Sequence, residues 1–398
     1  MKTNKIIVIG AGYAGLRAIE NLSKNKNNEI ILFDKSPYHY MQTEVYDFIA
    51  NENDFSNITV DLFTFCAGFN NNVTFYKQEI TNVDFNNKKV ITNIQRYSYD
   101  YLIIAVGART RFFDNIIGLK EYAHGIKALH RALYFKQKFE KSLLGKIEDE
   151  GSYCKPINIV ITGGGLSGVE IAAQMASFSK EFYKRNHFLC RKLNIMIIEA
   201  FSQILNGIDN TLVEQSVQRL QELDVEIRYD SKVIEVKKES VHLSNGEILP
   251  MDFMINTAGI EPNALVATLK LEKNERGYIK INDYLQSPIS PSVFAIGDCT
   301  NISYKDSPVP QTADVAEQMA EHCAKNISNL IKNKPLVKHT IKSRGVLIAL
   351  GRKYAVAKVF GFNITGYPAY IMKKIIEKMY AKSLDIRSAK GDSKIFKD

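Results

Sequence analysis

Residues 159–175 read IVITGGGLSGVEIAAQM, and residues 6–20 have already read IIVIGAGYAGLRAIE. Each is a short apolar run rich in β-branched residues, then a glycine turn, then an apolar pattern of helical period. The first unit runs on into EIILFD, a buried-strand pattern ending in Asp34, and the second into NIMIIE, ending in Glu199. Strand, tight turn, helix, strand and terminal acid is the order that a dinucleotide imposes. Gly10 permits the first turn, Gly12 lets the backbone approach a pyrophosphate, and Gly15 lets the helix pack close. Gly163, Gly165 and Gly168 repeat these parts. The helix N-termini are expected to face phosphates and the two acids to take ribose hydroxyls. Glu199 would repel a 2′-phosphate and no arginine follows it directly, so NADH is expected in the second cradle rather than NADPH. Two cradles on one chain suit a hydride that passes from one cofactor to another, one bound for good and the other visiting.

With 398 residues, 45% hydrophobic and 24% charged, the chain has the balance of an ordinary globular protein of two or three domains. Its net charge of +9 is uneven, because residues 320–398 hold 17 Lys and Arg against 5 Asp and Glu. A basic patch confined to that end suits an anionic surface, or is a solvated lysine face. Nucleic acid is not expected as a partner, since the patch has neither aromatic alternation nor a groove-reading motif. The five cysteines, Cys66, Cys154, Cys190, Cys299 and Cys323, are scattered and form no CxxC pair or metal-ligand spacing. No metal is expected, and the compartment reads as reducing. The start lacks a signal-peptide pattern, and no apolar run reaches the ~18 residues of a spanning helix. A cytoplasmic protein, free to lie on a membrane, is the expectation.

These residues resemble the two-dinucleotide flavoprotein oxidoreductases, the superfamily that includes glutathione reductase. YDYLIIAVGA at 99–108 is similar to the strand closing the first FAD segment, although Val106 stands where a threonine is usual. FMINTAGIEPN at 253–263 is similar to its counterpart closing the NAD domain, and SVFAIGDC at 292–299 to the late FAD motif. In that motif the acid, here Asp298, holds the ribityl side of the flavin. The resemblance implies FAD and NADH as cofactors. The cofactor-binding set it implies is Gly10, Gly12, Tyr13, Ala14, Gly15, Asp34, Lys35, Thr43, Ala105, Gly107, Gly163, Gly165, Leu166, Ser167, Gly168, Glu199, Ala258, Gly259, Gly297, Asp298 and Ala316.

The acceptor is sought in what is missing. Disulfide reductases carry a cysteine pair after the first acid, but residues 36–50, SPYHYMQTEVYDFIA, have none. Sulfide:quinone oxidoreductases need a cysteine beyond the late FAD motif to pair with one near the middle, and nothing lies beyond Cys323. What remains resembles the type II NADH:quinone oxidoreductases, non-proton-pumping enzymes of the membrane surface. PYHYMQTEVY echoes that family's His-plus-aromatic segment, and EAFSQIL at 199–205 echoes its EAxxRIL. Its GGGxTGVE appears with Ser167 for threonine and with Glu170 kept, a glutamate that the resemblance places near nicotinamide and flavin. Its AQxAxQ, facing the quinone, appears here as Ala313, Asp314, Val315, Ala316, Glu317 and Gln318. Glu170, Gln318 and Asp314 are therefore the candidate catalytic residues. A glutamine can donate to a quinone carbonyl whereas an ionised Asp314 can only accept, so Asp314 would have to be protonated, bridged by water or a proton source. The alternatives are a sulfide:quinone oxidoreductase and a soluble NADH-dependent flavoprotein reductase with a protein acceptor.

Near the C-terminus SRGVLIALGRKYAVAKVFGFNIT reads as a hairpin around Gly351, followed by an amphipathic helix, PAYIMKKIIEKMYAK. Ile371, Ile375 and Met379 form one row, Met372, Ile376 and Tyr380 the next, and Lys373, Lys374, Glu377 and Lys378 the other side. Such a helix suits an anionic membrane surface, and equally packing on its own protein or in a homodimer. Residues 383–398 read as a mobile tail. The expected fold is α/β, with two Rossmann-like dinucleotide-binding domains and a small C-terminal membrane-associating element. FAD-domain segments at 1–118 and 265–333 would enclose an NAD domain at 119–264, with the C-terminal element at 334–398. A peripheral enzyme on the cytoplasmic side of the cell membrane, meeting NADH and a membrane quinone, is the functional expectation.

Overall fold

The computed structural model describes residues 3–69, 71–148, 155–185, 193–304, 307–342 and 344–395; Cys154 and Cys190 lie outside them. The first strand, Asn4–Ile9, lies between Asn28–Asp34 and Tyr101–Ile104, parallel to both. Val73–Lys77 and Ser290–Ala295 extend this sheet in parallel, and Gln286–Ser287 closes one edge antiparallel. Ile6, Ile7 and Val8 are fully buried, which explains a continuous apolar run instead of an alternating one: helices cover one face, and the antiparallel strands Ile80–Asp84, Lys89–Thr92 and Arg96–Ser98 cover the other.

A second, wholly parallel sheet repeats the plan. Ile157–Thr162 lies between Leu193–Ile198 and Phe253–Asn256, with Val225–Arg228 and Ala123–His124 at the edges. In each sheet the chain leaves the central strand through the glycine turn where the strand order reverses, the place at which open α/β sheets bind ligands. Ala108–Thr110 pairs antiparallel with Ile260–Pro262, tying together the two crossings between the sheets.

The C-terminal hairpin forms from Val346–Ala349 and Ala355–Val359, and Phe362–Gly366 adds a third strand. Two expectations are corrected here. The helix that follows runs from Tyr367 to Ile395, so the segment read as a mobile tail is helical as far as Ile395. Leu384 and Gly391 bury it against the short helix Leu62–Ala67, with no space at Gly391 for a side chain, since a Cβ there would lie 1.7 Å from the Thr64 carbonyl oxygen. The lysine side of the helix also turns inward: Lys373 and Lys374 are enclosed, while Ile371, Ile375, Ile376, Met379 and Ile386 are exposed. No helix among the described residues is long and apolar enough to cross a membrane.

Candidate functional site

The two glycine turns are built alike. Gly10 and Gly163 have φ of +104° and +93°, which a side chain would strain. A Cβ on Gly15 would lie 1.9 Å from the Gly10 carbonyl oxygen, and one on Gly168 equally 1.9 Å from that of Gly163, so both helices start hard against their turns. The middle glycines differ, because nothing lies within 4 Å of a Cβ built on Gly12 or Gly165. Crowded outer glycines around an open central one leave a cradle of the shape that a pyrophosphate fills. FAD and NADH fit these two turns.

The strand-end acids have a role that spacing alone did not reveal. Asp34 accepts from the Ala11 and Ser36 N–H groups, each at 2.8 Å, and burial pushes its carboxyl up. Glu199 accepts from Gly164 at 2.6 Å and from Phe201 at 3.0 Å. Each acid thus braces the turn of its own cradle. A carboxylate oxygen has two lone pairs, so each can still accept from a ribose hydroxyl.

Between the sheets lies a cleft lined by Gln42, Tyr46, Lys127, Ser167, Thr257 and Gly259 among others. Ser167, one residue into the helix Leu166–Arg185, bonds the Tyr46 hydroxyl at 2.8 Å across the cleft. Thr43 bonds the Tyr13 hydroxyl at 2.9 Å beside the first turn, and Lys35 follows Asp34 at the strand end. Asp298 pairs with Lys127 at 3.0 Å, and a Cβ on Gly297 would lie 3.2 Å from that of Ala14 and 3.7 Å from that of Ala316. Ala105 crowds Gly10 from the neighbouring strand end, and Ala258 crowds Gly163 in the same way. Gly107 and Gly259 have φ of +65° and +148°, turning the chain at the two crossings.

Glu170 stands at the edge of this cleft, 7% exposed, in a charge network with no sequence signal. It accepts from the Ala349 N–H and from the Lys373 ammonium, both at 2.8 Å. Lys374 reaches Asp47 at 2.5 Å and Glu377 at 2.8 Å, with Glu44 at 3.9 Å, and Gln174 donates to Asp47 at 2.7 Å. Burial pushes Glu170 up while Lys373 pulls it back. Burial alone would lower both lysines, but the carboxylates outweigh it and raise them. Glu44 is pushed up to about 8 by burial and by Glu377, while Lys374 pulls it back. The network joins the short helix Val45–Ile49, the helix Leu166–Arg185 and the C-terminal helix.

Gln318 and Asp314 sit together on the helix Ala313–Ile331, the Gln318 amide donating to Asp314 at 2.8 Å. Gln318 also clasps the Lys342 backbone, donating to its carbonyl at 3.1 Å and accepting from its N–H at 2.9 Å. Asp314 pairs with Arg344 at 3.0 Å. Asn326 and His322 continue this row and bond the Val337 backbone, so one face of the helix holds the connector that leads to the C-terminal element.

Residues 4–320 match the family model described as pyridine nucleotide-disulphide oxidoreductase. The type II NADH:quinone oxidoreductase of Staphylococcus saprophyticus is 28% identical over 381 residues, covering 94% of each chain. That of Staphylococcus aureus is 28% identical over 391 residues at the same coverage. Among solved structures, NDH2 from Plasmodium falciparum in complex with NADH superposes with a TM-score of 0.84 at 20% identity, covering 100% of this chain and 99% of that one. The sulfide:quinone oxidoreductase of Aquifex aeolicus gives 0.82 at 20% identity, with 96% and 91% covered. At such identity these structures speak for the fold alone. With two open glycine turns on two parallel sheets and a family match across four-fifths of its length, the chain belongs to the pyridine nucleotide-disulphide oxidoreductase family.

Proposed function

We propose that the chain is an FAD-dependent NADH:quinone oxidoreductase that works at a membrane surface. The observation that carries this reading is the pair of turns, each with an open central glycine, at the switch points of two sheets that share one cleft. Curated relatives matched over nearly their whole length are named for this activity. A bound FAD supplies two-electron acceptance from a hydride donor and release to an acceptor.

The chain's own residues bind and orient. Gly12 and Gly165 admit the two pyrophosphates, while Asp34 and Glu199 fix the turns and take ribose hydroxyls. Asp298, neutralised by Lys127, faces the flavin side of the cleft. The Tyr46–Ser167 bond keeps the two cradles in register. Glu170, held by Lys373, is the cleft-edge carboxylate that either moves a proton or gates access. On the acceptor side, Asp314 is paired with Arg344, and donation to a quinone carbonyl falls to the amide that Gln318 now spends on Asp314 and Lys342. A sulfide route through the cysteines among the described residues, Cys66, Cys299 and Cys323, is disfavoured, because all three are buried and free. Burial raises the thiols of all three, that of Cys299 to about 12.

Membrane docking is supported by the C-terminal element. Phe360 and Phe362 at a hairpin turn are 87% and 74% exposed, and Ile371, Ile375, Ile376 and Met379 are exposed on the helix that follows. Lys378 and Lys382 flank it, as an interfacial helix on anionic lipid requires. The enzyme is placed on the cytoplasmic side of the cell membrane, where NADH is.

Anaerobic mixing tests the reading. NADH should bleach the yellow protein, and a short-chain quinone added next should restore the colour. A purified protein that is colourless and refuses added flavin overturns it, and one re-oxidised only by a protein acceptor moves it to the soluble reductases. Co-sedimentation with anionic vesicles tests docking: Ile375→Glu should abolish it, and concentration-dependent pairing without vesicle binding would assign the face to a homodimer instead.

A further inference from the structure

The flavin-side turn is held from an unexpected direction. His39, fully buried on the short strand Tyr38–Tyr40, places Nδ1 2.8 Å from the Ala11 carbonyl oxygen. Its Nε2 lies 3.0 Å from the hydroxyl of Tyr380 on the C-terminal helix. A carbonyl oxygen only accepts, so Nδ1 carries the hydrogen. Burial holds the imidazole neutral, lowering its pKa to about 4, and a neutral ring has one N–H. Nε2 is then a lone pair and Tyr380 must be the donor. The chain of bonds has one direction: Tyr380 donates to His39, and His39 donates to Ala11.

What this fixes follows from the planarity of the peptide. The Ala11 carbonyl and the Gly12 N–H belong to one peptide plane and point in opposite directions, so holding the carbonyl aims the N–H of the open glycine. Asp34 holds the Ala11 N–H at 2.8 Å, so Ala11 is gripped at both ends. The ring of Tyr13, the first residue of the helix behind the turn, packs edge-on against His39 at 5.1 Å and tilted against Tyr380 at 5.0 Å. The second cradle makes a telling contrast. Its equivalent carbonyl, that of Gly164, accepts from the Leu205 N–H at 2.7 Å, a partner within the same unit. Of the two turn carbonyls, that of Ala11 is the one held, among the described residues, through a bond chain ending on the C-terminal helix.

We propose that Tyr380 and His39 couple the seating of the C-terminal helix to the FAD-binding turn, so that helix and flavin hold each other in place. The proposal rests on the assignment of the first cradle to FAD. Linkage makes the coupling reciprocal: a seated helix tightens FAD, and FAD tightens the helix. Tyr380 and His39 are positioning residues here, acting through Gly12. The exposed apolar face belongs to the same helix as Tyr380, so whatever covers that face also bears on flavin retention.

The test measures FAD release from the holoenzyme by the rise in free-flavin fluorescence on dilution. Tyr380→Phe keeps the ring and removes only the hydroxyl, and should release FAD about tenfold more readily, the effect of one buried hydrogen bond. His39→Asn keeps an N–H near the Nδ1 position, but its shorter side chain leaves no acceptor at the Nε2 position for Tyr380, and should match it. The double variant should be no worse than either single one, which a merely structural loss at two sites would not produce. Hydrogen exchange on the unsubstituted protein gives an independent readout: removing FAD should deprotect the amides around Tyr380. Unchanged FAD release in Tyr380→Phe, additive losses in the double variant, or equal protection with and without FAD would each overturn the coupling. Failure of the unsubstituted protein to bind FAD would instead overturn the cofactor assignment on which it rests.

Discussion

Lys373 and Glu170 meet at 2.8 Å although 203 residues separate them, which ties the C-terminal helix to the helix that starts at the second glycine turn. Removing one partner leaves a buried charge uncompensated. Lys373→Met should therefore destabilise the protein by about 3–5 kcal/mol. Glu170→Gln combined with Lys373→Met should recover most of that loss, because both charges then go together. Urea midpoints of the two single variants and the double variant check this.

The glycines separate folding from binding. Gly12→Ala has φ of −78° and open space around it, so the variant should fold as stably as its parent yet purify colourless. Gly165→Ala should keep its flavin and lose NADH. Gly15→Ala drives a Cβ to 1.9 Å from the Gly10 carbonyl oxygen and should cost about 3 kcal/mol whatever the ligand. Visible spectra alongside thermal melts distinguish the three outcomes.

Gln318→Ala should slow re-oxidation of the reduced enzyme by quinone about tenfold while leaving bleaching by NADH unchanged, since a donor to a quinone carbonyl contributes on the order of one hydrogen bond. Stopped-flow traces of the two half-reactions report each rate. Equal losses in both would assign the residue to the connector at Lys342 alone.

Glu44 sets a pH dependence. Its folded pKa is raised to about 8, so between pH 4.5 and 8 the unfolded chain gives up a proton that the native state keeps. The contribution of Glu44 to stability therefore falls across that window, and its penalty is complete above it. Glu44→Gln removes this slope, and should be more stable than the parent at pH 9 with little difference at pH 4. Denaturant midpoints at the two values decide it.

The strand–turn–helix units were legible because a glycine spacing and an apolar run are local signals. The partner that Lys373 or Lys374 finds is not local, being 203 residues away for Glu170 and 327 for Asp47. The helical wheel separated the apolar row Ile371, Ile375 and Met379 from the lysines correctly, but it could not say which side faced the protein. Lysines beside isoleucines suggest a solvated flank unless three buried acids, here Glu44, Asp47 and Glu170, wait elsewhere in the chain. The polar composition of residues 383–398 likewise hid their packing, which depends on Gly391 letting two backbones touch. His39 was noticed as part of PYHY, but its bond to Ala11 follows from the path of the strand and not from any motif.

The inward lysines bear on how this protein would be handled at the bench. Charge counted over the last 79 residues overstates what a headgroup meets, because two of those cations are already neutralised inside. The outward contribution of the helix at this face is mostly grease. Washing with concentrated salt should therefore leave much of the enzyme in the pellet, a mild detergent should lift it off, and dilution out of that detergent should make it clump.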